Sequence, residues 1–320
     1  MTPPRRHALV LAAAAAALNA LAGARTARAE KFDATTQAAL SRLPGDALLV
    51  AGLDVKAARR TAIFKKLAAA AAKDAKAKVG IASMKTGAGF DYRRDIDRVW
   101  LVVPSDAAGG RDRMAFLAKG RVDQARFVTW LKTSEKAELK RAGKLTYYRT
   151  GDSAWAFLGD GWLLLAHADY VQQVLEAHAR GAGRAIDDAA LMTAVRTAAR
   201  SSSHAWIATV IPAQLKSKLR EETFTRTFAD LEWSAASATF GKSIKFRGEV
   251  RAATAEAASA LAGALTMVVQ MAAGNKDLAD AGLAASLSAT AISSKDRTVS
   301  FSGSLPAGKL ASVIGRLIGS

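Results

Sequence analysis

The 320-residue chain contains no cysteine. A disulfide framework, a thiolate metal site, a cysteine nucleophile and a lipid anchor on cysteine are therefore excluded. Histidine is scarce. Beyond the first thirty residues only His167, His178 and His204 occur, and none has a second histidine or an acid at a spacing that forms a known metal signature. Ser201-Ser202-Ser203 precede His204, but there is no G-x-S-x-G elbow and no supported S-x-x-K, so a polar loop before a strand is expected there. Ala236 to Ser243 reads A-x-x-x-x-G-K-S, a permissive match to a phosphate-binding loop. The residues after it alternate like a strand, whereas phosphate binding needs a helix N-terminus at that point, so a hairpin turn is expected. No cofactor or metal is called for, and no acid–base or nucleophile set is present, so the expected role is non-catalytic.

What is present begins with an address. Arg5 and Arg6 form a positive start, Ala8 to Ala24 an uncharged Ala/Leu-rich stretch, and Ala27-Arg28-Ala29 a signal-peptidase site before Glu30. Residues 1–29 therefore read as a signal peptide, and the mature protein as periplasmic or secreted without a transmembrane anchor. The paired arginines, the weak apolar stretch and the late Arg25 and Arg28 are compatible with the twin-arginine export route.

Charge is lopsided. Beyond the leader, residues 30–150 carry 25 basic and 13 acidic residues, whereas residues 151–320 carry 17 and 15. The excess is densest from Lys56 to Lys78, a stretch that reads as helical with Asp54 as N-cap and Ile63, Phe64, Leu67 and Ala71 as its buried stripe. Lys56, Arg59, Arg60, Lys65, Lys66, Lys73 and Lys76 then form a candidate site for an anionic surface, with Asp74 the one local acid. Phe64, the one aromatic in this stretch, falls on the buried stripe. No stacking platform is interleaved with the charge, and nucleic acid is not expected. Outside the cytoplasm the remaining anionic partners are envelope polymers and lipid surfaces. Asp91, Asp95 and Asp97 lie close together without the Gly and Glu of a calcium loop, and are expected to cap helices and pair with Arg93, Arg94 and Arg98.

Periodicity sets the fold class. Strands are expected at Ala47–Leu53, Arg98–Val103, Arg113–Lys119, Lys144–Arg149, Ala154–Leu158, Trp162–Ala166 and Ala205–Ile211. Ile244, Phe246, Gly248 and Val250 alternate with Lys245, Arg247, Glu249 and Arg251, the pattern of a half-buried antiparallel strand. Further strands are expected at Ala284–Ile292 and Thr298–Ser304. Helices follow the caps Asp123 (Phe127, Trp130 and Leu131 inward), Asp169 and Asp187. Pro212 opens another, to about Leu231. A C-terminal helix places Leu310, Val313, Ile314, Leu317 and Ile318 on one face. The uncharged run Ala257–Gly274 reads as a buried core helix because Ser259, Gly263, Thr266 and Gln270 weaken it as a membrane span. Together these give an α+β fold: antiparallel sheet covered on one face by helices, in loosely repeated β-α-β-β modules. The segments expected are a basic N-terminal one at 30–110, a central module at 111–232 and a C-terminal module at 233–320, and 30–320 also reads as one continuous domain.

Leu43-Pro44-Gly45-Asp46-Ala47 leading to Asp54, Gly89-Phe90-Asp91 with Asp95-Ile96-Asp97-Arg98-Val99, and Gly159-Asp160-Gly161-Trp162 before an apolar strand resemble a class of uncharacterised exported bacterial proteins carrying a domain of unknown function. The resemblance implies export and an α+β fold and brings no site. The expected function is a binding or structural component of the cell envelope. The alternative is a carrier or sensor holding a lipid-like ligand between helices and a curved sheet, and a lined apolar tunnel would mark it.

Overall fold

A computed structural model describes residues 33–71, 75–106, 113–200, 202–221 and 226–319. The expected leader, residues 1–29, lies outside them. The described residues form twelve strands: β1 (Ala47–Asp54), β2 (Ile96–Pro104), β3 (Ala115–Gly120), β4 (Glu138–Ala142), β5 (Leu145–Thr150), β6 (Ser153–Phe157), β7 (Trp162–His167), β8 (Ala205–Val210), β9 (Leu231–Phe240), β10 (Ser243–Ala252), β11 (Ala291–Lys295) and β12 (Thr298–Pro306). They join in one antiparallel sheet, ordered β11-β12-β10-β9-β8-β1-β2-β3-β7-β6-β5-β4. Strands from all three expected segments therefore share a single sheet. The two edges are short and polar: β4 is charged at Glu138, Lys140 and Arg141, and β11 ends on Lys295. Such edges discourage pairing with another chain.

Thirteen α-helices accompany the sheet among the described residues: α1 (Ala34–Leu40), α2 (Val55–Ala58), α3 (Ala62–Ala71), α4 (Ala75–Gly87), α5 (Tyr92–Asp95), α6 (Gln124–Thr133), α7 (Val171–Arg180), α8 (Ala189–Ala198), α9 (Ala213–Glu221), α10 (Ala255–Gly274), α11 (Lys276–Asp280), α12 (Ala284–Ser288) and α13 (Ala307–Gly319). On one face of the sheet α1, α7 and α8 bury Leu40, Val174, Leu175, Leu191 and Val195 against Val50, Trp100, Leu117, Leu164 and Ala208. On the opposite face α6 covers the β5–β7 end with Phe127, Trp130 and Leu131. That same face at the β9–β12 end is covered by α10 and α12, packed on Phe246, Val250 and Phe301, and by α3 and α13, packed on Ile244. The fold is α+β, and its sheet is antiparallel as the alternation requires. One-sided cover holds for the C-terminal strands, where Lys245, Arg247 and Glu249 of β10 face away from the helices. The rest of the sheet has helices on both faces.

Local readings differ from the structure at three points. The expected strand Ala284–Ile292 begins as α12, because Leu287 turns into the core under α10 before β11 starts. Charged β4, exposed at four of five positions, lacks the apolar alternation that marks a strand and is held by pairing with β5. The helix opened by Pro212 reaches Glu221, and Leu231 already belongs to β9. Gly241-Lys242 is a hairpin turn between β9 and β10, as the alternation implies. Of the C-terminal apolar face, Val313 is buried, while the side chains of Ile314, Leu317 and Ile318 lie outside the described residues.

Candidate surface-binding site

The basic stretch is a broken helix. The Asp54 carboxylate accepts the Ala57 N–H at 2.7 Å and caps α2, as its sequence position implies. α2 then stops at Ala58, because the Thr61 hydroxyl accepts the Phe64 N–H and starts α3 afresh. The helical stretch is thus divided at a second cap, and among the described residues α4 begins at Ala75. Ile63 anchors α3 against Ile244, Ala307 and Ala311. That contact leaves Lys65 and Lys66 of α3 exposed, and Lys56 and Arg60 before it are exposed as well. None of them pairs with an acid among the described residues. Lys73 and the side chain of Lys76 lie outside those residues.

Arg59 does not belong to this site. Its guanidinium points inward, donating to the Arg94 carbonyl at 2.8 Å and to the Ile96 carbonyl, with Asp97 at 3.8 Å. Once α2 ends, Arg59 is directed at the loop entering β2, and its charge holds that loop instead of meeting a partner. The acidic triplet also serves the fold. Asp91 caps α5 and pairs with Arg93 and Lys85, and buried Asp95 accepts from the Asp91 N–H and pairs with Arg94 and Arg121. Arg98 reaches Asp33 and Asp54 instead of the triplet. Hydrogen bonds from Arg93 and Arg94 hold the Asp91 and Asp95 carboxyls below the ordinary range. A carboxylate with a depressed folded pKa stabilises the fold above its unfolded pKa. That stabilisation is lost as pH falls through the folded value, so it should fade below about pH 4. Asp95→Asn should cost about 1–3 kcal/mol near neutrality. It should also flatten the acid limb of stability against pH, both read by urea unfolding from pH 2 to 7.

α10 supplies a second feature. Thr254 caps it, and Glu256 in its first turn is its one charge. Ala258, Leu261, Leu265 and Val269 form a single buried stripe. The outward positions Ser259, Ala260, Gly263, Thr266 and Gln270 are exposed and uncharged, and Met267 and Met271 are 57% and 64% exposed. Only 22% of its most apolar stretch is buried, so the expectation of a core helix is corrected. The helix rests on the sheet by one narrow face, and its outward face mixes Met267, Met271 and alanines with the uncharged polar side chains of Ser259, Thr266 and Gln270. The clusters under α10 and under α3 both border Ala238 and Leu310, and both lie on the face of β10 that carries Ile244, Phe246 and Val250. The outward sides of α3 and α10 therefore share one side of the molecule. The sequence missed this because it shows an apolar run, not how much of that run is covered.

The histidines have local roles. His204 Nδ1 accepts the Phe240 N–H at 3.0 Å and its ring stacks on Phe240, and His167 Nδ1 accepts the Asp169 N–H at 3.3 Å. Burial holds His178 below the ordinary imidazole range. Two depressions stand out among the described residues. One is an open groove of about 380 Å³ between Asp280, Ala281, Gly308, Lys309 and Ser312. The other is a polar pocket of about 100 Å³ beneath α1 and the end of α8. Neither is a lined apolar tunnel.

The chain is similar in fold to TP0453. One crystal form of TP0453 superposes with a TM-score of 0.54 at 11% identity, over 87% of this chain and 97% of TP0453. Another gives 0.51 at 11% identity, over 89% and 97%. The likeness to TP0453 therefore spans nearly the whole α+β sheet structure. No family model matches the chain, and no curated protein matches it.

Proposed function

We propose that this chain is an exported, non-catalytic protein of the cell envelope that docks on an anionic lipid surface through the side carrying α3 and α10. One observation carries the reading: the outward face of α10, with exposed Met267 and Met271, lies on the same side as Lys65 and Lys66 of α3, and exposed Lys56 and Arg60 directly precede that helix. An envelope polysaccharide would neutralise the cations and leave the methionines in water. A lipid interface takes both, since basic side chains meet headgroups while an apolar helix face sinks to the acyl boundary.

The absence of cysteine makes the test clean. Met271→Cys, labelled with a polarity-sensitive fluorophore, should shift to the blue on vesicles rich in phosphatidylglycerol. Lys245→Cys, on the opposite face of the sheet, should not shift. Equal shifts at both positions, or none at Cys in place of Met271, would remove the proposal.

A further inference from the structure

Sulfur enters this chain only as methionine, because cysteine is absent. Met1 belongs to the expected leader, and the others are Met84, Met114, Met192, Met267 and Met271. The fold treats these five unequally. Met192 of α8 is 3% exposed and packs in the core against the sheet. Met84 of α4 is partly buried against the cluster of Phe127 and Trp130, and Met114, just before β3, is partly buried as well. Met267 and Met271 are the two left mostly in solvent.

Their placement on α10 is specific. They stand four positions apart, so they lie one above the other on the outward face. The helix is held from the opposite side by Ala258, Leu261, Leu265 and Val269, so neither methionine is needed to dock it on the sheet. Among the described residues the large apolar side chains left exposed are Val79, Phe116, Leu139, Met267 and Met271. The first three lie on separate elements, α4, β3 and β4, as scattered surface apolar residues do. The methionines alone form a pair on one helix face. An exposed thioether is open to oxidants, and here no thiol competes for them.

We infer that Met267 and Met271 form a paired oxidation site, and that oxidants of the peroxide class release α10 from the lipid surface by converting both to sulfoxides. The release rests on the docking proposed above, and the selectivity of oxidation does not. In each step the thioether sulfur attacks one peroxide oxygen. An S–O bond forms, the O–O bond breaks, and sulfur gives up two electrons. The departing hydroxide takes a proton and leaves as water. A flexible apolar side chain becomes a polar one, which no longer enters the acyl boundary. The lysines are untouched, so the charge that brings the protein to the headgroups is unchanged. Methionine sulfoxide reductases, one for each sulfoxide epimer, reverse the change at the expense of a thiol reductant.

The test treats the mature chain with dilute hydrogen peroxide without vesicles and maps the added oxygen by mass spectrometry of tryptic peptides. One such peptide, 252–276, carries both residues, and Met84, Met114 and Met192 fall in three others. That peptide should gain two oxygens before the others gain one, with the circular dichroism spectrum unchanged. Affinity for vesicles rich in phosphatidylglycerol should then fall by about tenfold or more, from the burial of two methionines forgone. The two reductases should restore it. Met267→Leu with Met271→Leu should bind as wild type does and keep its affinity through peroxide. Oxidation of Met84, Met114 or Met192 at an equal rate overturns the site. Oxidised protein that binds like untreated protein, or a leucine variant that loses affinity on treatment, overturns the release and leaves the docking standing. Untreated protein that does not bind removes the docking and the release with it.

Discussion

Replacing Lys56, Arg60, Lys65 and Lys66 together by glutamate should abolish sedimentation of the mature protein with anionic vesicles while leaving its thermal unfolding close to wild type. Each basic side chain near an anionic bilayer contributes about 1 kcal/mol, so the loss of four attractions alone corresponds to about a thousandfold in affinity. Folding should be nearly untouched, because all four side chains are exposed and none pairs with an acid among the described residues. Relief of their mutual repulsion would act in the stabilising direction. Arg59→Gln should behave in the opposite way. Its guanidinium holds the Arg94 and Ile96 carbonyls, so the change should lower stability by about 1–3 kcal/mol and leave vesicle binding unaltered. If Arg59→Gln weakens binding as much as a single change at Lys65, the division drawn between these cations is wrong.

Phe127→Ala should be among the most destabilising single changes in the chain, by about 3–5 kcal/mol in urea unfolding. The ring is fully buried and meets four others: Phe90, Trp130, Trp155 and Phe157, with centroids 5.3–5.6 Å away. Three of these pairs are edge-to-face, an arrangement that adds to the burial itself. The surrounding rings belong to α6, β6 and the turn before α5, so they cannot collapse together into the space left. Loss of under about 1 kcal/mol would mean that this end of the sheet is more loosely packed than its geometry implies.

Much of the architecture was legible because local patterns agree with the tertiary packing. The alternation from Ile244 to Arg251 lies in β10, and its inward residues are covered by helices, Ile244 by α3 and α13 and Phe246 and Val250 by α10. Phe127, Trp130 and Leu131 face the core from the helix that Asp123 caps. What escaped depends on contacts far apart in sequence. The break at Thr61 is a cap of the ordinary kind, yet the apolar spacing from Ile63 onward masks it. Arg59 reads as one more surface cation, and its bonds to residues 35 and 37 positions away decide otherwise. β4 has charged residues where a strand pattern would be apolar, and only an edge position tolerates that. α10 shows the general difficulty most plainly. Composition marks it as apolar, but whether an apolar helix is a core element or an open face depends on how many neighbours pack around it.

The account rests on the side of the molecule that carries α3 and α10 meeting an anionic lipid surface. The most direct measurement is co-sedimentation of the mature protein with anionic and with neutral vesicles from 0.05 to 1 M salt. Across this range the Debye length falls from above 10 Å to about 3 Å. The account predicts binding to anionic vesicles at low salt, marked weakening towards 1 M, and little binding to neutral vesicles at any salt. Equal binding to both vesicle types, or no binding to anionic vesicles at 0.05 M, would contradict it.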